Sequence, residues 1–560
     1  MRFILVLFAI SLCFSCKVAT PVEKEVVELW KPYNDSTEVA ENADHEIGRM
    51  QYKLVQSKVL NKNDVFLPLY HEVSQIKEAD YESWKSLILE QNIPTIQTHI
   101  KKGTLSYEKL VLFYLYRIYK YELDNETTLN TILALNKNVV EEARALDAKM
   151  KDAPDENHHP IYGMPILLKD NIDTEGMLTT AGAIAFMENK TDDAFIVKEL
   201  KRNGALILGK VNLSEWAYFL CSGCPVGYSA VGGQTLNPYG RKVFETGGSS
   251  AGSGTAVAAN YAVAAVGTET SGSILSPSSQ NSVVGLKPTI GLLSRGGIVP
   301  ISSTLDTPGP MTKNVIDNAI LLDAMFGFDS GDSKSINTKY GTSYFSGASF
   351  NETLEGKRFG VFKGLVENDS IYAATLTKIE AMGATVVEFT PGQTPLPGFL
   401  SILNIDMKND LPAYIKANVK DTEAVTVKNI QDIMDFNNQD SLTRIPYGQT
   451  LFEGIMADTT SAKGLEKIIA DLEKTSRAYF DTVLDEHHLD AILSINNYHA
   501  GYAAVAKYPA LTVPMGYKTT GEPISLTFIA KQLQELKLLK LGSAFEKGTK
   551  VRQLPKGFLE

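Results

Sequence analysis

Short, fully apolar runs that alternate with helical segments restrict the fold of this chain more than any other feature of its sequence. The runs "PILLK" (165–169) and "ALILG" (205–209) are too short for helices and are typical of strands. Residues 110–118 carry apolar side chains at three- and four-residue steps, and residues 136–149 form a second amphipathic segment. A strand that is apolar on both faces needs a cover on both faces, so the sequence predicts an α/β fold with helices on both faces of its sheet.

One segment consists almost entirely of small residues. In "TGGSSAGSGTAVAAN", Thr246–Asn260, thirteen of the fifteen residues are Gly, Ser, Ala or Thr. A solvated Gly/Ser linker would have this composition. The segment continues as "YAVAAVGTE", however, which favours a packed element in which backbone groups approach one another closely.

Composition excludes some classes of function. The chain has 560 residues, of which 44% are hydrophobic, so it can bury a large core. Its net charge of −11 and the absence of any Lys/Arg run argue against a nucleic-acid partner. We find no internal repeat at a period typical of solenoid proteins.

The N-terminus has the features of an export signal. Arg2 precedes an apolar run, residues 3–14, that is too short to span a bilayer as a helix. The run ends in "CFSC", which resembles the lipobox of bacterial lipoproteins, and this predicts cleavage before Cys16 and lipidation of that cysteine. An ordinary cleaved signal peptide is the alternative. Either way we expect export to the cell envelope, and lipidation would anchor the protein to a bacterial membrane, facing the periplasm.

These features predict three regions. Residues 1–16 form a lipoprotein-type signal peptide. Residues 17–82, which are polar and acidic at first, form a tether and a peripheral segment. Residues 83–560 form one large domain without an internal linker.

Two cysteines lie outside the signal region. Cys221 and Cys224 have the C-x-x-C spacing of redox pairs, but "CSGCPVG" is a Gly/Pro-rich loop and not the start of a helix. We therefore expect a structural or incidental pair. A single C-x-x-C does not supply the four ligands of a zinc site, and no metal is predicted.

Two short motifs match known patterns by accident. "GALILGKV" resembles a phosphate-binding loop, but Val211 stands where that loop needs Ser or Thr. "GSSAG" around Ser250 matches the G-x-S-x-G pattern, but no apolar strand leads into it. A serine–histidine site would also need a suitable base, and only His499 has a plausible loop setting, so this alternative is disfavoured.

Three separated segments carry the informative pattern: Lys169 ends "PILLK", Ser249 lies in "TGGSSAGS" and Ser273 lies in "GTETSGSILSPSS". At these positions the chain resembles the amidase signature family. The resemblance runs from about residue 93 to the C-terminus and includes "GMPILLKDNID", "GYSAVGGQTLNPYG", "SRGGIVPIS" and "YPALTVPMGY". It implies a large, twisted, mixed β-sheet covered by helices on both faces.

The resemblance also implies a Ser-cisSer-Lys triad, with Ser273 as nucleophile, Ser249 as bridging serine and Lys169 as base. No cofactor is implied. For this chemistry Lys169 must be neutral near pH 7, although an unperturbed lysine has a pKa of about 10.4. Ile166, Leu167 and Leu168 would desolvate it, and on a strand Asp170 would point to the opposite face.

The same resemblance explains why the segment around Ser249 contains so many small residues. The family has an unusual cis peptide bond before the bridging serine, which here is the bond between Gly248 and Ser249. Gly247, Gly248 and Ala251 would leave room for it. The family's oxyanion hole implies backbone N–H donors along four residues: Thr270, Ser271, Gly272 and Ser273.

The chain departs from the common family pattern at two positions. Many members have Gly or Asp where Ser271 stands, and Arg where Leu275 stands. The Leu275 variant resembles the peptide amidase subgroup, which releases ammonia from C-terminal amides. Segments 404–415, 445–456 and 495–514 are either pocket lining or plain core.

Three functions follow. The first is an exported amidase that acts on a small amide or a short peptide amide. The second is a protein similar to the A subunit of glutamyl-tRNA amidotransferase, which a predicted export signal disfavours. The third is a catalytically inactive binding lipoprotein of the same fold, which the presence of all three triad residues disfavours.

Overall fold

The structure is a computed structural model, and it describes residues 27–153, 157–341 and 343–559. The predicted signal peptide, residues 1–16, and its lipidation site Cys16 lie outside these ranges. Among the described helices, none combines the length and the apolar character needed to cross a bilayer.

The described residues form a mixed sheet of eleven strands, in the order β1-β3-β2-β6-β8-β7-β12-β13-β11-β9-β10, and a two-stranded sheet, β4-β5. Strands β2, β3 and β6 are parallel neighbours, β9 is parallel to both β10 and β11, and the other neighbours are antiparallel. The strands are β1 (Ile132–Leu135), β2 (Pro165–Lys169), β3 (Leu206–Val211), β4 (Tyr228–Ser229), β5 (Gly233–Gln234), β6 (Ala264–Glu269), β7 (Val284–Lys287), β8 (Thr307–Thr312), β9 (Arg358–Phe362), β10 (Thr385–Phe389), β11 (Ala491–Ile495), β12 (Ala510–Tyr517) and β13 (Pro523–Ile529).

Nineteen α-helices lie in the described ranges. They are α1 (Ser36–Glu41), α2 (Lys62–Ser74), α3 (Glu78–Ile88), α4 (Ile93–Lys101), α5 (Tyr107–Glu122), α6 (Val139–Asp152), α7 (Phe195–Arg202), α8 (Ala251–Ala258), α9 (Leu275–Gln280), α10 (Val315–Met325), α11 (Lys363–Asn368), α12 (Ser370–Ala381), α13 (Phe399–Asn418), α14 (Ile430–Asn438), α15 (Ser441–Arg444), α16 (Thr450–Ala457), α17 (Ala462–Glu486), α18 (Ala500–Ala506) and α19 (Glu535–Thr549).

Strand β12 shows how helices cover both faces of the sheet. Leu511 and Val513 pack against Gly542 of α19. The intervening Thr512 points to the other face, where its Oγ1 lies 3.1 Å from the Oγ of Ser279 in α9. The predicted α/β fold, a large mixed sheet with helices on both faces, is confirmed, and the two predicted strands are β2 and β3.

The segment before residue 83 differs from the predicted tether where the structure describes it. Met50, Val55 and Phe66 are buried in the same apolar core as the central helices. The carbonyl of Val55 accepts a hydrogen bond from the backbone N–H of Gln234 at 2.8 Å. Phe66 lies on α2, whose buried residues recur at helical spacing, whereas Met50 and Val55 precede this helix and follow no helical period. The domain boundary at residue 83 stays a prediction.

Helix α5 contacts the C-terminal end of the small-residue helix α8. Arg117 of α5 is fully buried, and its guanidinium donates to the carbonyls of Ala259 and Asn260, just after the C-terminal end of α8. A cation at this end of a helix interacts favourably with the helix dipole. At the opposite end of α8, the segment that precedes the helix contains Ser249.

Candidate active site

Two parallel strands bring the first site residues together. Strand β2 runs beside β6, with Leu168 opposite Val266, so the carboxyl ends of the two strands are adjacent. Lys169 is the last residue of β2, and Thr268 lies near the end of β6. Ligand sites of α/β proteins commonly lie at the carboxyl ends of parallel strands.

Lys169 is fully buried and makes three polar contacts. Its Nζ lies 2.7 Å from Ser249 Oγ, 2.8 Å from Thr268 Oγ1 and 3.2 Å from the Thr268 carbonyl oxygen. A charged ammonium group has three hydrogens for these three oxygens. A neutral amine has two, which Thr268 can accept, and its lone pair then faces the hydroxyl of Ser249.

The electrostatic surroundings of Lys169 favour the neutral amine. Burial lowers the pKa of Lys169 from 10.5 to about 7, and the carboxylates of Asp306 and Glu269 partly oppose this effect. Asp170 does not pair with Lys169, because its carboxylate lies 3.1 Å from the Nζ of Lys210. Lys169 is buried, as predicted, and among the described residues it forms no ion pair with Asp170, which follows the end of β2.

The bridging position lies on a tightly packed loop. The peptide bond between Gly248 and Ser249 is cis, as predicted. Gly247 has φ +62°, and a Cβ atom on it would lie 2.7 Å from the backbone of Pro277. A Cβ atom on Gly248 would lie 2.5 Å from Val226 Cγ1. The glycines therefore allow a packing that no other residue would fit at these two positions.

Ser250 connects this loop to the segment that carries Ser273. Its backbone N–H donates to the Ser273 carbonyl at 3.2 Å, and its Oγ donates to the Thr268 carbonyl at 3.0 Å. Ser249 is completely buried, whereas Ser273 retains 9% exposure. Lys169 and Ser249 are thus in direct contact, and the backbone of Ser250 joins the Ser249 loop to Ser273. Among the described residues, no hydrogen bond links the side chain of Ser273 to Ser249 or Lys169.

The turn from Thr270 to Ser273 has unused backbone donors. Within the described residues, none of the N–H groups of Thr270, Ser271, Gly272 and Ser273 donates a hydrogen bond to another protein atom. The next two N–H groups, of Ile274 and Leu275, donate to Glu269 Oε2 at 2.8 and 3.0 Å. Free N–H groups on a turn held in this way are suited to bind an oxyanion.

Comparison with known proteins decides the family. The family model described as Amidase matches residues 109–500. The chain belongs to the amidase signature family. A probable amidase of Arabidopsis thaliana is 34% identical over 489 residues, which cover 84% of this chain and 92% of that protein. The A subunit of the glutamyl-tRNA(Gln) amidotransferase of Exiguobacterium sibiricum is 30% identical over 509 residues, covering 84% of this chain and 99% of that protein.

Solved structures agree with this assignment. An amidase family protein from Bacillus anthracis has a TM-score of 0.83 and 36% identity, covering 90% of this chain and all of that one. The native peptide amidase of Stenotrophomonas maltophilia has a TM-score of 0.77 and 34% identity, covering 83% of this chain and 98% of that one. The protein is therefore an amide-hydrolysing enzyme with the amidase signature fold.

Three polar residues of this amidase site were not predicted from the sequence. Thr268 contacts Lys169 directly, and Asn171 Nδ2 donates to Thr268 Oγ1 at 3.0 Å. Asp306 accepts from the Thr270 hydroxyl at 2.6 Å, and burial raises the pKa of Asp306 to about 6. Thr268 could have been found by pairing the ends of β2 and β6 in parallel. Asp306 reaches the site from a loop more than 100 residues after Lys169, so its contact with Thr270 could not be inferred from the sequence.

Residues of the two rejected interpretations, the phosphate-binding loop and the serine–histidine site, have structural roles. Lys210 of the "GALILGKV" run lies in β3 and pairs with Asp170. His499 stacks on Phe362 with ring centroids 3.8 Å apart, and its Nδ1 lies 2.6 Å from Ser494 Oγ. Among the described residues, no hydrogen bond joins His499 to any serine of the small-residue segment or to Ser273.

Cys221 and Cys224 are joined in a disulfide. They lie beside residues 445–448, which belong to one of the segments considered as pocket lining. In the described ranges no three His, Cys, Asp or Glu side chains come together in an arrangement that could hold a metal ion.

Of the three segments considered as pocket lining, two, 404–415 and 495–514, lie near the site. Residues 410, 413 and 414 line a cavity of about 400 Å³ whose wall also contains Thr268 and Thr270. Asn497 and Ala500 pack against Gly272. Ser271 lies beside Gly501 and is partly exposed, while Leu275 is buried in an apolar cluster.

Proposed function

We propose that this amidase cleaves the C–N bond of small amides, including C-terminal peptide amides, through an acyl-enzyme on Ser273. The observation that carries the proposal is the contact of 2.7 Å between the buried, desolvated amine of Lys169 and the hydroxyl of Ser249. An amine with a pKa of about 7 can accept a proton at neutral pH, which an ordinary lysine cannot.

The acylation step transfers one proton along the two serines. Ser273 Oγ attacks the amide carbonyl as its proton passes to Ser249, whose own proton passes to the lone pair of Lys169. The carbonyl oxygen becomes an oxyanion, for which the N–H groups from Thr270 to Ser273 are donors. When the intermediate collapses, Ser249 gives a proton to the departing nitrogen and regains one from Lys169.

Deacylation repeats the sequence with water. A water molecule attacks the ester carbonyl and loses a proton to the Ser249–Lys169 pair. Collapse of the second intermediate returns a proton to Ser273 Oγ and releases the carboxylic acid. No proton is gained or lost by the three side chains over the cycle, so the buried Lys169 need not exchange protons with bulk water during turnover.

The direct test is ammonia release by the full-length protein. C-terminally amidated dipeptides, aliphatic amides and aryl amides would be compared, with the Ser273→Ala and Lys169→Ala variants as controls. Release that both substitutions abolish, in variants whose circular dichroism matches the wild type, supports the proposal. Release that survives Ser273→Ala would contradict it.

A second function, that of an amidotransferase A subunit, is favoured by the 30% identity to such a protein over most of both chains. It predicts that glutamine is the preferred amide and that the protein is purified with partner subunits. A protein that hydrolyses peptide amides alone, without glutamine as its preferred amide, would rule this function out.

We also propose that the protein is exported and lipid-anchored through Cys16. The support is the sequence of residues 1–16, with its single cation, apolar run and terminal "CFSC". Labelled fatty acid should be incorporated into the wild type and not into a Cys16→Ser variant. Incorporation by both proteins, or by neither, would contradict lipidation at this residue.

A further inference from the structure

A cavity of about 400 Å³ adjoins the proposed catalytic residues. Its wall contains Thr268, which contacts Lys169, and Thr270, which begins the turn to the nucleophile. Ser273 lies three positions after Thr270, so their backbones are within about 11 Å of each other. A substrate whose carbonyl meets Ser273 can therefore place a group one or two residues away in this cavity.

The cavity wall carries more negative than positive charge. It contains one cation, Arg295, and three carboxylates, Asp306, Asp332 and Asp410. Arg295 forms an ion pair with Asp332, and its Nε donates to that carboxylate at 3.0 Å. In the described part of the chain no cation forms a salt bridge with Asp306 or Asp410. The wall thus has a formal charge of −2 when all four groups are ionised.

The wall also contains a hydrogen-bond acceptor without a donor. Asn171 is 98% buried, and its Nδ2 donates to Thr268 Oγ1 and to the Val299 carbonyl. Among the described residues, nothing donates to its Oδ1. This oxygen has almost no accessible surface, so a ligand in the cavity would not contact it, and recognition of a substrate group rests on the charges of the wall.

We propose that this cavity binds a protonated amino group of the substrate. Resting on the proposed function, the proposal narrows the substrate class to amides with an ammonium group within about two residues of the scissile carbonyl. The amide of a dipeptide with a free N-terminus has this arrangement. Asp410 is the main determinant, because it lies on α13 outside the triad and, among the described residues, no cation forms a salt bridge with it. Its Oδ2 accepts from the neutral Ser303 N–H at 2.7 Å.

The test compares two substrates that differ only in the charge. Alanyl-phenylalaninamide carries an α-ammonium group at pH 7, and propionyl-phenylalaninamide has a hydrogen in its place. We expect the full-length wild type to show a kcat/KM about tenfold higher for the charged substrate, the ratio that a charge-assisted hydrogen bond typically supplies. The ratio is the readout, so a general loss of activity does not imitate the effect.

Charge variants of the wall show which residue sets the ratio of kcat/KM for the charged substrate to kcat/KM for the neutral one. Asp410→Asn keeps an oxygen for the Ser303 N–H and should lower the ratio to about one to three. Asn418→Asp adds a carboxylate to the same wall and should raise it. Glu466→Gln removes one negative charge from an exposed site on α17 that does not line the cavity, and it should leave the ratio unchanged.

The outcomes separate this proposal from the proposed function. Equal rates for both substrates in the wild type, or an equal ratio in the wild type and both cavity variants, overturn the cavity assignment while the amidase mechanism stands. A folded protein that hydrolyses neither substrate overturns both. A ratio that falls in Asp410→Asn and rises in Asn418→Asp supports the assignment.

Discussion

Acid should inactivate this amidase by protonating Lys169. The perturbation is a change in pH, with a neutral substrate such as propionyl-phenylalaninamide so that the substrate does not titrate. The reaction requires the neutral amine, so kcat/KM should follow the neutral fraction of Lys169 in the free enzyme. With a pKa of about 7, the enzyme should be near its maximum above pH 8 and lose activity below neutral pH.

The size of the pH effect on kcat/KM follows from the burial of Lys169. Lowering the pKa from 10.5 to about 7 corresponds to roughly 5 kcal/mol at about 1.4 kcal/mol per pH unit. At pH 7 about half of the lysine is neutral, compared with about 0.03% for an unperturbed lysine. Between pH 8 and pH 6 kcat/KM should therefore fall about tenfold. Below pH 6 the fall should flatten, because Asp306, with a pKa of about 6, loses the charge that favours the ammonium form of Lys169.

The assay is initial-rate ammonia release from pH 5 to pH 9, in the wild type and in Asp306→Asn. If protonation of Lys169 causes the loss of activity at acid pH, the Asp306→Asn variant should show the same loss at a lower pH. The reason is that this variant lacks a carboxylate that raises the pKa of Lys169. A loss that disappears in Asp306→Asn would assign the titration to Asp306 and refute the reasoning. A wild-type profile that is flat across this range would refute it as well.

Three more predictions concern Thr268, Lys169 and the disulfide. Thr268→Val removes the Oγ1 acceptor that lies 2.8 Å from Lys169 Nζ and should lower kcat about 10- to 100-fold, with recovery in Thr268→Ser, as measured by steady-state rates. The stability of the wild type relative to Lys169→Met should rise between about pH 7 and 10.5 in urea unfolding, because only the unfolded lysine is protonated in that range; a difference that does not vary with pH contradicts the lowered pKa. Reduction of the Cys221–Cys224 disulfide should change kcat/KM less than about twofold, since it closes a very short loop, and a larger loss would indicate a functional role.

Much of the fold could be predicted because its strands are apolar on both faces. "PILLK" and "ALILG" became β2 and β3, and the small-residue run became helix α8 with its preceding loop. The order of the eleven strands could not be predicted, since it depends on pairings such as β9 with β11 that lie far apart in sequence. The packing of Met50 into the core was missed because this residue follows no period, and that of Phe66 because the helical period of α2 was not recognised in a polar segment.

The site was predictable where chemistry is local and unpredictable where it depends on contacts between distant segments. The desolvation of Lys169 follows from the apolar residues that precede it on its own strand. The three oxygens around its Nζ come from residues 249 and 268, and only the fold shows that Thr268 supplies two of them. The charges that oppose desolvation, above all Asp306, belong to later segments, so their effect could not be predicted.

The central claim is that Ser273 is the nucleophile. The most direct measurement is peptide mass spectrometry of the full-length protein after reaction with a fluorophosphonate, which forms a stable adduct with an activated serine. The account predicts an adduct on Ser273 that forms faster as the pH rises through about 7 and is absent in Ser273→Ala and Lys169→Ala. An adduct on Ser250, or labelling of Ser273 that does not depend on Lys169, would contradict it.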